Sequence, residues 1–269
     1  MLMSTSTRLS DEDQRSWLVR FQPNPTARLR LVCFPYAGVG PSAYYAWTKG
    51  LPHTIELVAV QLPGREQRLR EPPCDRLSAL VPQVAAAIGQ LRSPYAFFGH
   101  SMGALIAFEV TRYLRAEACA GPVHLFASAR TAPHHPESLP DWRDFSDAEL
   151  LKELNRRWGD GIPSAILQEP EMLQLLLPGL KADLAVVESY RHVEGKRLDC
   201  PISVFGGESD SSVDRNDLQA WKELTTGAFR LRTVPGNHFF IRSQHQQVLQ
   251  AILEDVFPIL GGSQAGAPC

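Results

Sequence analysis

The stretch that decides the fold is YAFFGHSMGALIAFEV, Tyr95–Val110. An aromatic, apolar run leads into Gly99-His100-Ser101-Met102-Gly103, and apolar residues at helical spacing follow. This reads as a strand that turns at once into a helix, with Ser101 at the corner. Side chains at the two glycine positions would collide with the neighbouring strand and helix, so Gly99 and Gly103 leave room. The turn lifts the Ser101 hydroxyl clear of the sheet. The first N–H groups of the helix point at the same spot and favour negative charge there.

Outward from this corner, short apolar runs recur. They are Leu29–Pro35, Ile55–Pro63, Tyr95–His100, Val123–Ala129, Ile202–Gly207 and Phe229–Gly236. Several are almost continuously apolar, as strands buried on both faces must be. Helical patterns lie between them, at Leu77–Leu91 (with Pro82 near its start), Met102–Arg115, Asp217–Leu224 and Gln244–Leu260. Strand–helix alternation predicts an α/β fold with a mostly parallel sheet flanked by helices. One segment breaks the rhythm: Asp141–Tyr190 holds no strand pattern and reads as consecutive helices. Ser146 and Glu149 form a capping-box pattern, Gly159 is a helix stop, and Pro178-Gly179 should kink or split the later helix. An all-helical insert of this kind is expected to be a lid, although extra packing is the plainer alternative. The domain layout is then a leader at 1–20, a core at 21–140 and 191–260, a helical lid at 141–190, and a disordered tail at 261–269.

Composition narrows the function. The chain has 269 residues and is 44% hydrophobic, enough for a sizeable core. With 27 Lys plus Arg against 29 Asp plus Glu, the net charge of -2 points away from nucleic acid and from an anionic membrane surface. No signal-peptide core or membrane-length apolar run is visible, so a cytoplasmic protein is expected. The five cysteines, Cys33, Cys74, Cys119, Cys200 and Cys269, show no C-x-x-C spacing, so reduced thiols are expected rather than a disulfide framework or zinc site.

G-x-S-x-G between a strand and a helix is the nucleophile elbow of α/β hydrolases, whose partners follow in the order Ser, acid, His. Ser101 needs a base to take its proton. Of the eight histidines, His238 directly follows the last strand pattern and can hang over the sheet edge. His100 lies inside the elbow and faces away. His53, His124 and His192 sit in or beside core-like segments. His134-His135 hints at a metal with no further ligand pattern, and His245 opens a Gln-rich helix. For the acid, Asp210 follows a strand and a Gly-Gly turn. Glu208, Asp214 and Asp217 are nearby competitors, and Asp214 suits a helix cap. The oxyanion donors are read as the Met102 N–H, next to the nucleophile, and the Ala37 N–H in the glycine-rich loop after the first apolar run.

Six motifs then carry a family resemblance: CFPYAGVGPSAYYAW (33–47), VQLPGREQRL (60–69), FFGHSMGAL (97–105), LLLPGLKADLAVVESY (175–190), FGGESD (205–210) and GNHFF (236–240). In this order they resemble the type II thioesterases, free-standing editing hydrolases of polyketide and nonribosomal peptide synthesis. The medium-chain thioesterase of animal fatty-acid synthesis belongs to the same group. The resemblance spans Phe21–Pro258, and Val39 departs from it where a second glycine is usual. It implies Ser101, Asp210 and His238 as the triad, Ala37 and Met102 as oxyanion donors, and 141–190 as a mobile lid. The implied substrate is an acyl thioester on the phosphopantetheine arm of an acyl or peptidyl carrier protein, the arm being the partner's, so that no cofactor or metal of its own is needed. A monomer is expected. Arg65, Arg68, Arg70 and Arg156-Arg157 could meet an acidic carrier, with an ordinary solvated face as the alternative. A small-molecule carboxylesterase, a non-catalytic descendant and a domain cut from a synthase are the rival readings.

Overall fold

A computed structural model describes residues 16–92, 94–135, 137, 139–159, 161 and 167–261. The expected tail beyond Gly261 and most of the expected leader lie outside the described residues. The seven strands are β1 (Leu18–Arg20), β2 (Leu29–Phe34), β3 (Ile55–Val60), β4 (Tyr95–His100), β5 (Leu125–Ser128), β6 (Ile202–Gly207) and β7 (Phe229–Val234). They form one sheet in the order β1-β3-β2-β4-β5-β6-β7. Only β1 runs antiparallel, against β3. From β4 the order runs outward in both directions, so the carboxyl ends of β2, β4, β5 and β6 share one edge, where such sheets place their sites.

Period-two alternation divides each strand between two cores. On β2, Val32 and Phe34 face the layer of α1 (Leu77–Gly89) and α2 (Met102–Ala116), while Leu29, Leu31 and Cys33 face α7 (His245–Gly261). Parallel strands covered on both faces in this way give the continuous apolar runs seen in the sequence. The remaining short helices are α5 (Arg215–Gln219), capped by Asp214 as expected, and α6 (Phe240–Ser243).

The sheet begins inside the expected leader of residues 1–20. Leu18–Arg20 pair with β3, Trp17 and Leu18 are buried, and the Arg68 guanidinium sits 4.1 Å above the Trp17 ring. A three-residue strand is too short to show a period. The cysteine expectation also needs correction: Cys33, Cys74 and Cys200 are free, but Cys119 is disulfide-bonded.

The insert contains a 3-10 turn at Trp142–Asp144, α3 (Asp147–Trp158) and α4 (Pro170–Ser189). Both halves of the Ser146–Glu149 capping box form, and Gly159 ends α3 at φ 71°. The helix is not split at Pro178-Gly179, since α4 runs through it. Proline forfeits one helical hydrogen bond. Packing of Leu177, Leu180 and Leu184 against Trp142, Leu150 and Leu154 carries the helix past it. Gly179 has a different use: a Cβ there would lie 3.1 Å from the Gly64 carbonyl oxygen, so its absence lets α4 approach the loop after β3.

The elbow is as tight as its sequence implies. Ser101 holds φ 52° and ψ -117°, a strained conformation for a residue with a Cβ. A Cβ on Gly99 would fall 2.2 Å from the Gly103 carbonyl oxygen, and one on Gly103 would fall 2.2 Å from that of Phe34. Both contacts are with backbone, which cannot rotate aside. Gly103→Ala is therefore expected to destabilise the protein by at least ~2 kcal/mol, as overpacked cores do. A urea midpoint equal to wild type would contradict the clash.

Candidate active site

One cavity of about 300 Å³ lies at the carboxyl edge of the sheet under the insert. That is the lower end of ordinary ligand pockets, roughly 300–1,000 Å³. Ser101 and His238 both line it. Ser101 reaches it from the elbow, where its N–H donates to the Ser128 carbonyl at 2.7 Å and so pins the turn to β5. His238 reaches it from the loop after β7 and is 4% exposed. Its Nδ1 lies 2.8 Å from Asp210 Oδ2. Asp210 follows β6, so three strand ends bring three distant residues to one place.

Asp210 is held as well as holding. Its Oδ1 accepts from the Ser212 N–H at 2.9 Å and from the Ser212 hydroxyl at 2.6 Å. The same hydroxyl lies 3.1 Å from His238 Nδ1. Burial pushes the Asp210 carboxyl up, but the hydrogen bonds from His238 and Ser212 outweigh it and hold the group below its ordinary 3.8. It thus stays a carboxylate, which fixes His238 with the proton on Nδ1 and the Nε2 lone pair free to accept. Ser212 was missed in the sequence. The D-x-S spacing of an Asx-turn was its available signal.

Ala37 and Met102 line the same cavity. Neither backbone N–H donates to an acceptor among the described residues, so both are open to a developing oxyanion. The next N–H in the loop is already used. Gly38, at φ +80°, donates to Asp183 Oδ2 at 2.8 Å. Asp183 belongs to α4 and is fully buried. Arg65 completes a bidentate pair with it, Nη1 to Oδ2 at 2.6 Å and Nη2 to Oδ1 at 2.8 Å, and also donates to the Val39 carbonyl at 3.2 Å. The loop after β2 is thus clamped by one acid from the insert and one base from the loop after β3. A lone aspartate in the apolar run LKADLAVV was the overlooked signal.

This geometry overturns part of the carrier-docking expectation. Arg65 is 5% and Arg68 is 9% exposed. Arg68 is committed to Glu71 at 2.8 and 2.6 Å and to the Gln61 carbonyl at 3.1 Å. Neither can meet a carrier, and reversing their charge would attack the fold. Arg156 is exposed but pairs with Glu153 at 2.6 Å.

The other histidines serve the scaffold. The His100 ring is fully buried, with Nδ1 2.9 Å from the Ser128 hydroxyl and its centroid 5.3 Å from that of His238. Burial first, and the adjacent His238 second, push its imidazole well below 6.5. His134 and His135 face Glu223 at 3.2 Å and Asp217 at 3.4 Å. No cluster of three metal-ligating side chains occurs among the described residues. From the insert, Trp158 stacks on the His238 ring with centroids 5.8 Å apart and planes at 30°.

The thioesterase domain family matches residues 29–259. The chain belongs to the thioesterase family. It is 41% identical over 245 residues to the gramicidin S biosynthesis protein GrsT of Aneurinibacillus migulanus, covering 91% of this chain and 95% of that one. It is 39% identical over 242 residues to a Brevibacillus parabrevis protein named linear gramicidin dehydrogenase LgrE, covering 88% and 91%. Among solved structures it is similar to the type II thioesterase BorB from the borrelidin biosynthetic cluster. The TM-score is 0.78 at 32% identity, over 89% of this chain and 95% of that one. The α/β-hydrolase fold and the type II resemblance are borne out, and the protein is a hydrolase acting on thioesters. No helix among the described residues is long and apolar enough to cross a membrane.

Two measurements test the site. Asp183→Asn leaves Arg65 buried without its charge partner, and loss of one member of such a pair costs about 3–5 kcal/mol. The expected result is a lower urea midpoint together with a lower kcat, since the loop that carries Ala37 at the cavity loses its clamp. Unchanged values of both would remove the clamp from the account. The second is acid titration of stability. Folded His100 resists protonation, as does His124, which burial lowers to about 4. Their unfolded counterparts take up protons below the ordinary 6.5. The unfolded state then binds more protons, so stability falls with pH from that value downward. Asp210, with its lowered folded pKa, adds a further loss as pH drops below 3.8. Urea midpoints should decrease from pH 7 to 5 and again to 3.5. A flat response from 7 to 5 would contradict the burial of the two neutral imidazoles.

Proposed function

We propose that the protein releases acyl groups from the phosphopantetheine arm of acyl or peptidyl carrier proteins and so clears aberrant groups from a polyketide or nonribosomal peptide synthase. The observation that carries this reading is the buried Asp210–His238 pair facing the same cavity as Ser101. Kinship to GrsT and BorB supplies the biosynthetic setting. In this reading residues 141–190 are a mobile lid on a hydrolase core of 21–140 and 191–260. The enzyme works as a cytoplasmic monomer in this reading.

Ser101 Oγ attacks the thioester carbonyl carbon while His238 Nε2 takes its proton. Asp210 stabilises the imidazolium through Nδ1. The carbonyl oxygen becomes an oxyanion that accepts from the Ala37 and Met102 N–H groups. Collapse breaks the C–S bond, and the pantetheine sulfur leaves with the proton from His238. Water then attacks the acyl-Ser101 ester, giving its proton to His238, and a second collapse returns that proton to Ser101 Oγ and frees the carboxylic acid.

The dehydrogenase name of LgrE raises a second reading, because Gly38-Val39-Gly40-Pro41-Ser42-Ala43 after β2 has the G-x-G-x-x-A spacing of a dinucleotide loop. A pyrophosphate would need those backbone donors. Here Gly38 N–H is given to Asp183 and Ser42 N–H to Glu66 Oε1 at 3.1 Å, and Pro41 has none. Two carboxylates hold the loop where phosphate would have to sit.

Purified protein mixed with acyl-loaded carrier proteins should unload them, and Ser101→Ala should lower the rate by about 10⁴-fold or more. Carriers that stay loaded while an oxygen ester is cleaved would move the assignment to a small-molecule esterase.

A further inference from the structure

The buried His238 imidazole is packed among rings. Phe239 stands perpendicular to it, with centroids 5.2 Å apart and planes at 89°. His100 lies at 5.3 Å with planes at 59°. Both come from the core. The third ring, Trp158, comes from the insert, where it is the last residue of α3. Of the three it lies nearest to parallel with the imidazole, at 30° and 5.8 Å. Trp158 also lines the cavity. Its own place is supported by Trp142, whose ring lies 5.9 Å away at 35°.

The reaction makes His238 a cation twice, once for each proton it takes. A charge so buried must be stabilised by the protein, because water is excluded. Asp210 does this through Nδ1, 2.8 Å away, with the Ser212 hydroxyl 3.1 Å from the same atom. The other groups nearby do not help. His100 is kept neutral by burial. The Arg242 guanidinium lies 4.3 Å over the Phe239 ring and repels a second cation, and Arg157 lies 5.7 Å from the Trp158 ring. An aromatic face within about 6 Å attracts a cation, indole most strongly, and more so where water is absent. We infer that Trp158 is a positioning residue for the base: its indole, carried by the insert, stabilises the imidazolium that forms on His238, so the base reaches full strength only while the insert is seated. The inference rests on the thioesterase reading of Ser101 and His238. With α3 lifted away, His238 takes the Ser101 proton less readily, and the nucleophile idles.

The test is the pH profile of kcat/KM for hexanoyl-pantetheine with wild type, Trp158→Phe and Trp158→Leu. The acid limb reports protonation of the base in the free enzyme. Trp158→Leu keeps apolar bulk and removes the aromatic face, while Asp210, His100, Arg157 and Arg242 stay in place. Without that face the imidazolium is less stable, so the base stays unprotonated to lower pH. The acid limb should move down by about 0.5–1 pH unit. The plateau should fall several-fold, because the base is weaker. Trp158→Phe, with a poorer face, should move the limb less. A site that is merely loosened loses plateau and keeps its limb. An acid limb that stays put or moves up in Trp158→Leu overturns the inference while the thioesterase reading stands. If that variant does not fold, the direction of the Trp158→Phe shift decides. Failure of wild type to turn over the thioester would overturn both.

Discussion

The site depends on backbone touching backbone where β4 turns into α2. Phe34, at the end of β2, can lie against Gly103 only because Gly103 has no Cβ, and Gly99 makes the same allowance for the start of α2. This closeness puts the first N–H of α2 beside the loop that leaves β2, so Ala37 and Met102, far apart in sequence, share one cavity. The positive φ of Ser101 is the strain that goes with it. Tyr44 reinforces the junction by donating to the Phe34 carbonyl at 2.7 Å.

Two further ties bind the chemistry to the insert. Asp183 reaches down from α4 to Gly38 and Arg65, and Trp158 lies across the His238 imidazole from α3. His238 and the loop after β2 therefore each contact the insert. A buried ion pair adds little net stability when compared with apolar packing. What this one adds is direction, since a bidentate fork allows few arrangements of Arg65 and Asp183.

Much of this was legible in the residues because local rules and tertiary demands agree. The elbow needs two small residues at fixed spacing, and periodicity separates strand from helix. Asp210 and His238 follow the strands after which they were expected, β6 and β7, and meet there. The capping box of α3 and the Asp214 cap of α5 are local and were read correctly. What escaped was set by distant partners. Pro178 reads as a break until Leu177, Leu180 and Leu184 are seen packed on Trp142, Leu150 and Leu154. Arg65 and Arg68 read as surface charge until their carboxylates and Trp17 are found beside them. Strand β1 holds its place through its pairing with β3, and three residues carry no pattern by themselves.

The Asp183 contact also bears on how such enzymes can be recombined. Residues 141–190 resemble a cassette that could be traded between relatives to change the acyl group accepted. They are not self-contained, because the counter-charge for Asp183 sits outside the cassette on Arg65, and the group it steadies is a glycine of the core. A transplanted insert lacking an acid at this point would leave the Arg65 guanidinium stranded, and a recipient lacking Arg65 would strand the acid. The unit of exchange is the insert together with the loop after β3.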